Sequence, residues 1–290
     1  MSSYIYVDLS DTIGALQIGS LFGVFLFGIV SLQAYNYYDT YTEDGWGNKL
    51  LVAGVWLLEI GHTLGISYDV YRSTITLYGE PQLLGTFNGI TVAIVFGGAI
   101  TLLVQAFFAL RLARLFPGPY KYIGGFCVMI STLRFCATIY LTVVGFTSTT
   151  LEDYRHQVGW LVSTTFIVSA TVDVVIAGSM LYYLTKKRGE AMVRISGIIN
   201  RLVTYTIRSG LFTSVVAVGL VVCLQTMPAN LIWLGVYTFI AKLYSNSLLS
   251  ALNARREMRE EMHRGSFFRG RKGLGQDTSF STNDQVNFFQ

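Results

Sequence analysis

Residues Leu231–Asn253 read LIWLGVYTFIAKLYSNSLLSALN and run straight into Ala254-Arg255-Arg256. About 20 apolar residues cross the hydrocarbon core of a bilayer, and this stretch is long enough to do so. Lys242, Asn246, Ser250 and Asn253 recur at helical spacing along it, so one face of the predicted helix is polar. Its exit is the most basic tract of the chain. Basic residues favour the cytoplasmic side, so this end places the C-terminus there.

The rest of the chain agrees with that beginning. Of 290 residues, 52% are hydrophobic and only 13% charged, against about 25% charged in soluble domains. This composition predicts a polytopic membrane protein with one bundle and no second folded domain. Cys127, Cys136 and Cys223 all fall inside predicted spans, where they are expected to pack as small hydrophobes and to build no disulfide framework. The first twelve residues hold Asp8 and Asp11 but no Lys or Arg, unlike the basic start of a secretory signal. The first span is therefore expected to act as an uncleaved anchor.

Seven apolar stretches follow one another: about 13–35, 50–68, 84–110, 122–146, 158–184, 203–224 and 231–253. The expected fold is all-α, a bundle of seven transmembrane helices. The bundle should occupy residues 1–264, and 265–290 should form a basic, then disordered tail. Lys and Arg set the orientation. Seventeen lie on the side that includes Lys49, Arg111, Arg114, Lys121, the 186–208 segment and the tail. Arg72 and Arg155 alone lie on the other. The N-terminus is therefore expected outside and the C-terminus in the cytoplasm, with the plasma membrane the leading location. Trp46, Trp160, Tyr68 and Tyr71 lie near span ends, where amphipathic rings sit at headgroup depth.

Two inner segments carry further pattern. Ile195, Ile198, Ile199 and Leu202 share a helical face, while Arg194, Arg201 and Arg208 repeat every seven residues. This is a basic amphipathic helix, lying on the inner leaflet or extending span six inward. A short charged helix is expected over 254–263. Beyond it, Phe267 and Phe268 stand beside Arg269, Arg271 and Lys272. Arg194, Arg201, Arg269, Arg271 and Lys272 are thus candidate contacts for anionic inner-leaflet lipid, and a solvated juxtamembrane tail reads the same way. A nucleic-acid partner is not expected. The oligomeric state and any cytoplasmic protein partner stay open.

The most distinctive sequence is 199–206 (INRLVTYT), followed by 209–214 (SGLFTS) and 242–255 (KLYSNSLLSALNAR). Tyr35-Asn36-Tyr37-Tyr38, Lys49-Leu50-Leu51-Val52 and Leu58-Glu59 accompany it in the N-terminal half. In this combination the chain resembles a large family of seven-helix membrane proteins of mushroom-forming fungi (Basidiomycota), whose C-terminal half is a domain of unknown function. The resemblance spans nearly all seven stretches and excludes the tail. It implies the fold, a fungal source and a membrane location, and it brings no activity with it.

Glu59, Arg134, Asp173 and Lys242 lie well inside spans. Ionisable groups at that depth face a bundle interior or a water-filled cavity and pair there. Counted from the inner ends, all four stand roughly 14–18 Å above the inner boundary at 1.5 Å per residue. They are expected to form one layer of two acids and two bases, with Asp173 the first choice of partner for Lys242 and Glu59 the second. Thr165, Ser169 and Asp173 share a face, as do Ser131, Arg134 and Thr138. His62 lies one turn from Glu59, and Asn246 one turn from Lys242. These stripes either glue helices together or line a polar cavity.

The chemistry-bearing motifs are few. His62, His156 and His263 are scattered, so no metal site is expected. No phosphate-binding or dinucleotide glycine pattern occurs, and no cofactor or enzymatic activity is expected. Lys242 sits where a retinal Schiff base would form, but span three has no carboxylate counter-ion and span six, from Ser209 to Leu224, has only one aromatic, Phe212. Receptor-like or sensory use of seven spans is the leading functional expectation. A small-solute or ion transporter or channel is the alternative, and a retinal protein or an intramembrane enzyme ranks last.

Overall fold

The computed structural model describes the backbone of residues 10–78, 87–115, 121–187, 193–227 and 230–276, and the side chains of 12–78, 87–114, 121–182, 210–227 and 230–254. Seven α-helices account for nearly all of it: α1 Ala15–Thr40, α2 Trp46–Tyr71, α3 Asn88–Leu115, α4 Lys121–Thr147, α5 Leu151–Lys187, α6 Val193–Thr226 and α7 Ile232–Gln276. A π-helical turn, Ser10–Gly14, leads into α1, and another, Arg72–Thr76, follows α2. Each helix packs against its neighbour in the chain, and α7 closes back onto α1. Inside this ring, α3 also meets α5 and α7, and α7 meets α2. The two central helices are therefore the ones that position the site.

Polarity is inverted relative to a water-soluble bundle. Glu59, His62, Gln105, Ser131, Lys242 and Ser245 are all buried, whereas Leu21, Phe25, Leu57, Leu64, Leu133 and Val215 are exposed. Five segments are long and apolar enough to cross a membrane: Thr12–Thr40, Trp46–Thr76, Asn88–Arg114, Lys121–Thr147 and Leu151–Tyr182. At most 50% of the residues in each apolar window are fully buried, and the peripheral helices leave large apolar side chains such as Ile18, Leu57, Leu133 and Val215 exposed. Soluble monomers rarely expose apolar surface on that scale. Within α6 the apolar run among described side chains is the shorter Gly210–Thr226. In α7 Lys242, Ser245, Asn246 and Ser247 dilute the apolar character.

Helix ends differ from the apolar runs for identifiable reasons. α5 begins at Leu151, seven residues before the run expected from Val158, because Thr150 caps it. The Thr150 hydroxyl accepts the Asp153 backbone N–H at 3.1 Å, satisfying one of the helix's free donors. α3 begins at Asn88 instead of Leu84, and residues 84–86 lie outside the described residues. There the Asp69 carboxylate, reaching over from α2, accepts the Ile90 N–H at 2.6 Å. α6 and α7 continue past their apolar runs as single helices, from Val193 and to Gln276. α7 thus outruns the short helix expected to end near His263. Arg, Glu and Met dominate 255–262 and are good helix formers. The side chains of Arg194, Arg201, Arg269, Arg271 and Lys272, the candidate lipid contacts, lie outside the described residues.

The α1–α7 seam depends on glycine. A Cβ on Gly19 would stand 2.2 Å from the Gly235 carbonyl oxygen, and one on Gly235 would stand 2.5 Å from that of Ala15. Only hydrogen side chains allow these backbones to meet, the usual means of packing helices where no hydrophobic drive exists between them. Farther along the same seam polar groups take over. Gln33 Nε2 donates to Ser250 Oγ at 3.0 Å, and Asn253 Nδ2 donates to the Gln33 carbonyl at 2.8 Å. Asn246 Nδ2 reaches the Leu26 carbonyl at 3.3 Å. The outer members of the Lys242–Asn253 stripe therefore join helices together.

Candidate functional site

Two polar clusters meet at mid-helix, and adjacent residues of α7 connect them. In the first, the Lys242 ammonium lies 3.2 Å from Glu59 Oε2 and contacts His62 Nδ1. Ser245 Oγ donates to Glu59 Oε1 at 2.7 Å. Glu59 and His62 lie one turn apart on α2, so both reach the same lysine. Lys242 and Glu59 have 1% and 0% of their side-chain surface exposed. Each charge has thus lost its hydration and gained the other as partner.

The second cluster surrounds Asp173 on α5. Gln105 Nε2 of α3 donates to Oδ1 at 2.9 Å, Thr213 Oγ1 of α6 to Oδ2 at 3.0 Å, and Tyr244 OH of α7 to Oδ2 at 2.6 Å. Ser131 of α4 donates to Gln105 Oε1 at 2.9 Å, and Ser169 Oγ lies 3.0 Å from Tyr244 OH. Five helices therefore converge on one carboxylate through neutral groups. This corrects the expected pairing: Lys242 bonds Glu59, its second choice, and not Asp173. Tyr244 and Ser245 are consecutive, about 100° apart on the helix, and so face the two acids in different directions.

Arg134 belongs to neither pairing. One terminal nitrogen donates to the Gly98 carbonyl of α3 at 3.3 Å. Its Nε is buried without a partner, and the residue makes no ion pair among the described residues. The expected single layer of two acids and two bases is therefore divided into one tight ion pair, one carboxylate held by neutral donors and one cation left with free donors.

That cation lines a cavity of about 100 Å³ between α3, α4, α5 and α7. A water needs roughly 10–15 Å³ measured in this way, so there is room for several waters or a small organic molecule. The cavity extends from Arg134, Ser169 and Tyr244 to Phe87, Ser148, Thr150 and Trp233. These last four mark the end of the bundle where α3, α5 and α7 begin and α4 stops. From Ser148 to Arg134 along α4 is 14 residues, or about 21 Å of helix. Ile90, Ile94, Leu141, Val162, Phe166 and Leu234 form apolar walls. Tyr244 also lines a second, separate cavity of about 20 Å³ beside Gln105 and Asp173. Beyond that, Phe108, Leu112, Met180, Leu248 and Leu252 close the core.

Among the expected site residues, Glu59, His62 and Lys242 form the ion-pair cluster, Asp173 stands apart from it, Arg134 faces the cavity and Asn246 bonds α1. Lys242 is not among the cavity-lining residues, so a retinal linked to it would not occupy this space. No group of three or more His, Cys, Asp or Glu suited to a metal occurs among the described residues. Several participants escape the charge-based reading: Gln105, Thr213, Tyr237, Tyr244 and Ser245. A signal for part of the cavity face was present, because Tyr237, Ala241 and Tyr244 recur at helical spacing and all line it. This face lies beside the Lys242 stripe and carries no charge to mark it.

Comparison with known proteins reaches only part of the chain. No curated protein and no solved structure matches it. Residues 169–257, which contain Asp173, Thr213, Lys242 and Tyr244, match a family of unknown function, DUF6534.

Proposed function

We propose that the chain is a receptor-like protein of seven spans, with its N-terminus outside and its C-terminus in the cytoplasm. It binds a small molecule in the α3–α4–α5–α7 cavity and catalyses nothing. The observation that carries this reading is the cavity of about 100 Å³ that runs from Arg134 and Tyr244 to the end of the bundle marked by Phe87, Ser148, Thr150 and Trp233. That end is the one at which the N-terminal helix begins. The basic bias of Lys49, Arg111, Arg114 and the 186–208 segment lies at the other, which supports an outward mouth. α6 and the long α7 reach inward as continuous helices and offer a surface for a cytoplasmic partner or for anionic lipid. The plasma membrane suits such a receptor, and the resemblance noted above suits a fungal source.

A transporter would need a path past the floor. The Gln105–Asp173–Tyr244 network and the packed core beyond it favour the receptor. The test uses single cysteines in a background lacking Cys127, Cys136 and Cys223. Thr149→Cys, at the exposed α4–α5 turn, should react with an impermeant maleimide on intact cells. Glu43→Cys, in the α1–α2 turn, should react only after permeabilisation. The reverse pattern would sink the orientation. Steady solute or proton flux through the reconstituted protein, lost on Asp173→Asn, would replace the receptor with a transporter.

A further inference from the structure

The polar atoms left free around the cavity share one chemical character. Arg134 Nε, Tyr237 OH and Tyr154 OH are each buried without a hydrogen-bond partner among the described residues, and all three residues line the cavity. Tyr237 lies within electrostatic reach of both Arg134 and Tyr154. A guanidinium offers five N–H donors and no acceptor, and a phenol offers an O–H. Buried donors of this kind almost always find an acceptor. The acids nearby do not supply one. Glu59 is occupied by Lys242 and Ser245. Asp173 lies within electrostatic reach of Arg134, but Gln105, Thr213 and Tyr244 take up its oxygens.

Resting on the receptor reading, we propose that the cavity binds a small amphiphile, an apolar chain or ring ending in one carboxylate, whose oxygens receive the free donors of Arg134 and Tyr237. A carboxylate matches the guanidinium fork with two parallel hydrogen bonds. The ligand's apolar body lies along Ile90, Leu141, Val162 and Trp233 toward the mouth. The space beside Gly97 is part of the fit. A Cβ there would stand 3.3 Å from the Tyr237 hydroxyl and 3.2 Å from the His62 ring, crowding the hydroxyl that the ligand needs.

The test titrates nanodisc-embedded protein with octanoate, octanamide and octyl phosphate, all below micelle-forming concentration, and follows the thermal midpoint. Octanoate should raise the midpoint saturably. Octanamide, with the same chain and no charge, should bind about thirtyfold more weakly or worse, the loss expected when a buried charge-assisted pair loses one partner. Arg134→Gln should lose octanoate binding to a similar extent. Tyr237→Phe should weaken it several-fold, about what one hydrogen bond contributes. Equal binding of acid and amide in the wild-type protein would overturn the proposal even if Arg134→Gln fails to fold. Unchanged octanoate affinity in Arg134→Gln would do the same. Tighter binding of octyl phosphate would replace the carboxylate with a phosphate. Binding of none of the three would remove the amphiphile and leave the receptor reading to the labelling and flux experiments.

Discussion

Glu59–Lys242 and Arg134–Asp173 are two acid–base sets in one bundle, and the protein treats them in opposite ways. On the α2 side the carboxylate and ammonium touch at 3.2 Å with almost no exposure. On the α3–α4–α5 side the carboxylate is wrapped by a glutamine, a threonine and a tyrosine, and the guanidinium turns to a cavity with one 3.3 Å hydrogen bond. The difference teaches how to separate structural from functional charge inside a membrane protein. A buried charge whose partner is in contact is accounted for by stability. A buried charge with free donors and adjacent space is accounted for by something that enters.

The comparison can be broken by measurement, and Lys242 should give the largest effect. Lys242→Met leaves Glu59 buried with only the Ser245 hydroxyl for company. Breaking such a pair costs about 3–5 kcal/mol in soluble proteins, and less in bilayers, where the unfolded reference also finds partners. Adding Glu59→Leu should recover part of the loss in thermal stability, whereas adding Asp173→Leu should be additive. Recovery through Asp173 would mean that the two clusters are one.

Asp173→Leu comes next, at about 1–3 kcal/mol, because Gln105, Thr213 and Tyr244 lose their shared charged acceptor and keep only Ser169 and the Gly210 carbonyl. Asp173→Asn retains an acceptor and should cost less, so the gap between the two variants measures the network. Arg134→Gln should be mildest, about 1 kcal/mol or less, since only one long hydrogen bond is lost. A loss as large as that of Lys242→Met would show that Arg134 is a structural cation and would erase the contrast.

Much of the fold was legible because hydrophobic length is a one-dimensional property. The apolar runs marked all seven helices and located α4 to within a residue at each end, Lys121–Thr147 against 122–146. Other ends moved where a side chain outside the run did the capping. Thr150-Leu151-Glu152-Asp153 is itself a recognisable helix start, so the early beginning of α5 could have been read. The Asp69–Ile90 bond could not, since it joins residues 21 apart in the chain.

Sequence by itself determined that this chain is a helical bundle with greasy outer faces, and that Glu59, Arg134, Asp173 and Lys242 lie within its apolar runs. Burying an ionisable group is so costly that its position in an apolar run is already a statement about its surroundings. Tertiary structure alone decided which charge met which. Rotation about each helix axis and the order of helices around the ring set those contacts, and neither is written in the spacing of one helix. A rotation of about 100° per residue turns Tyr244 to Asp173 and Ser245 to Glu59. Only the packing of α3, α4, α5 and α7 around small residues such as Gly97, Gly98 and Gly145 leaves the cavity that Arg134 faces.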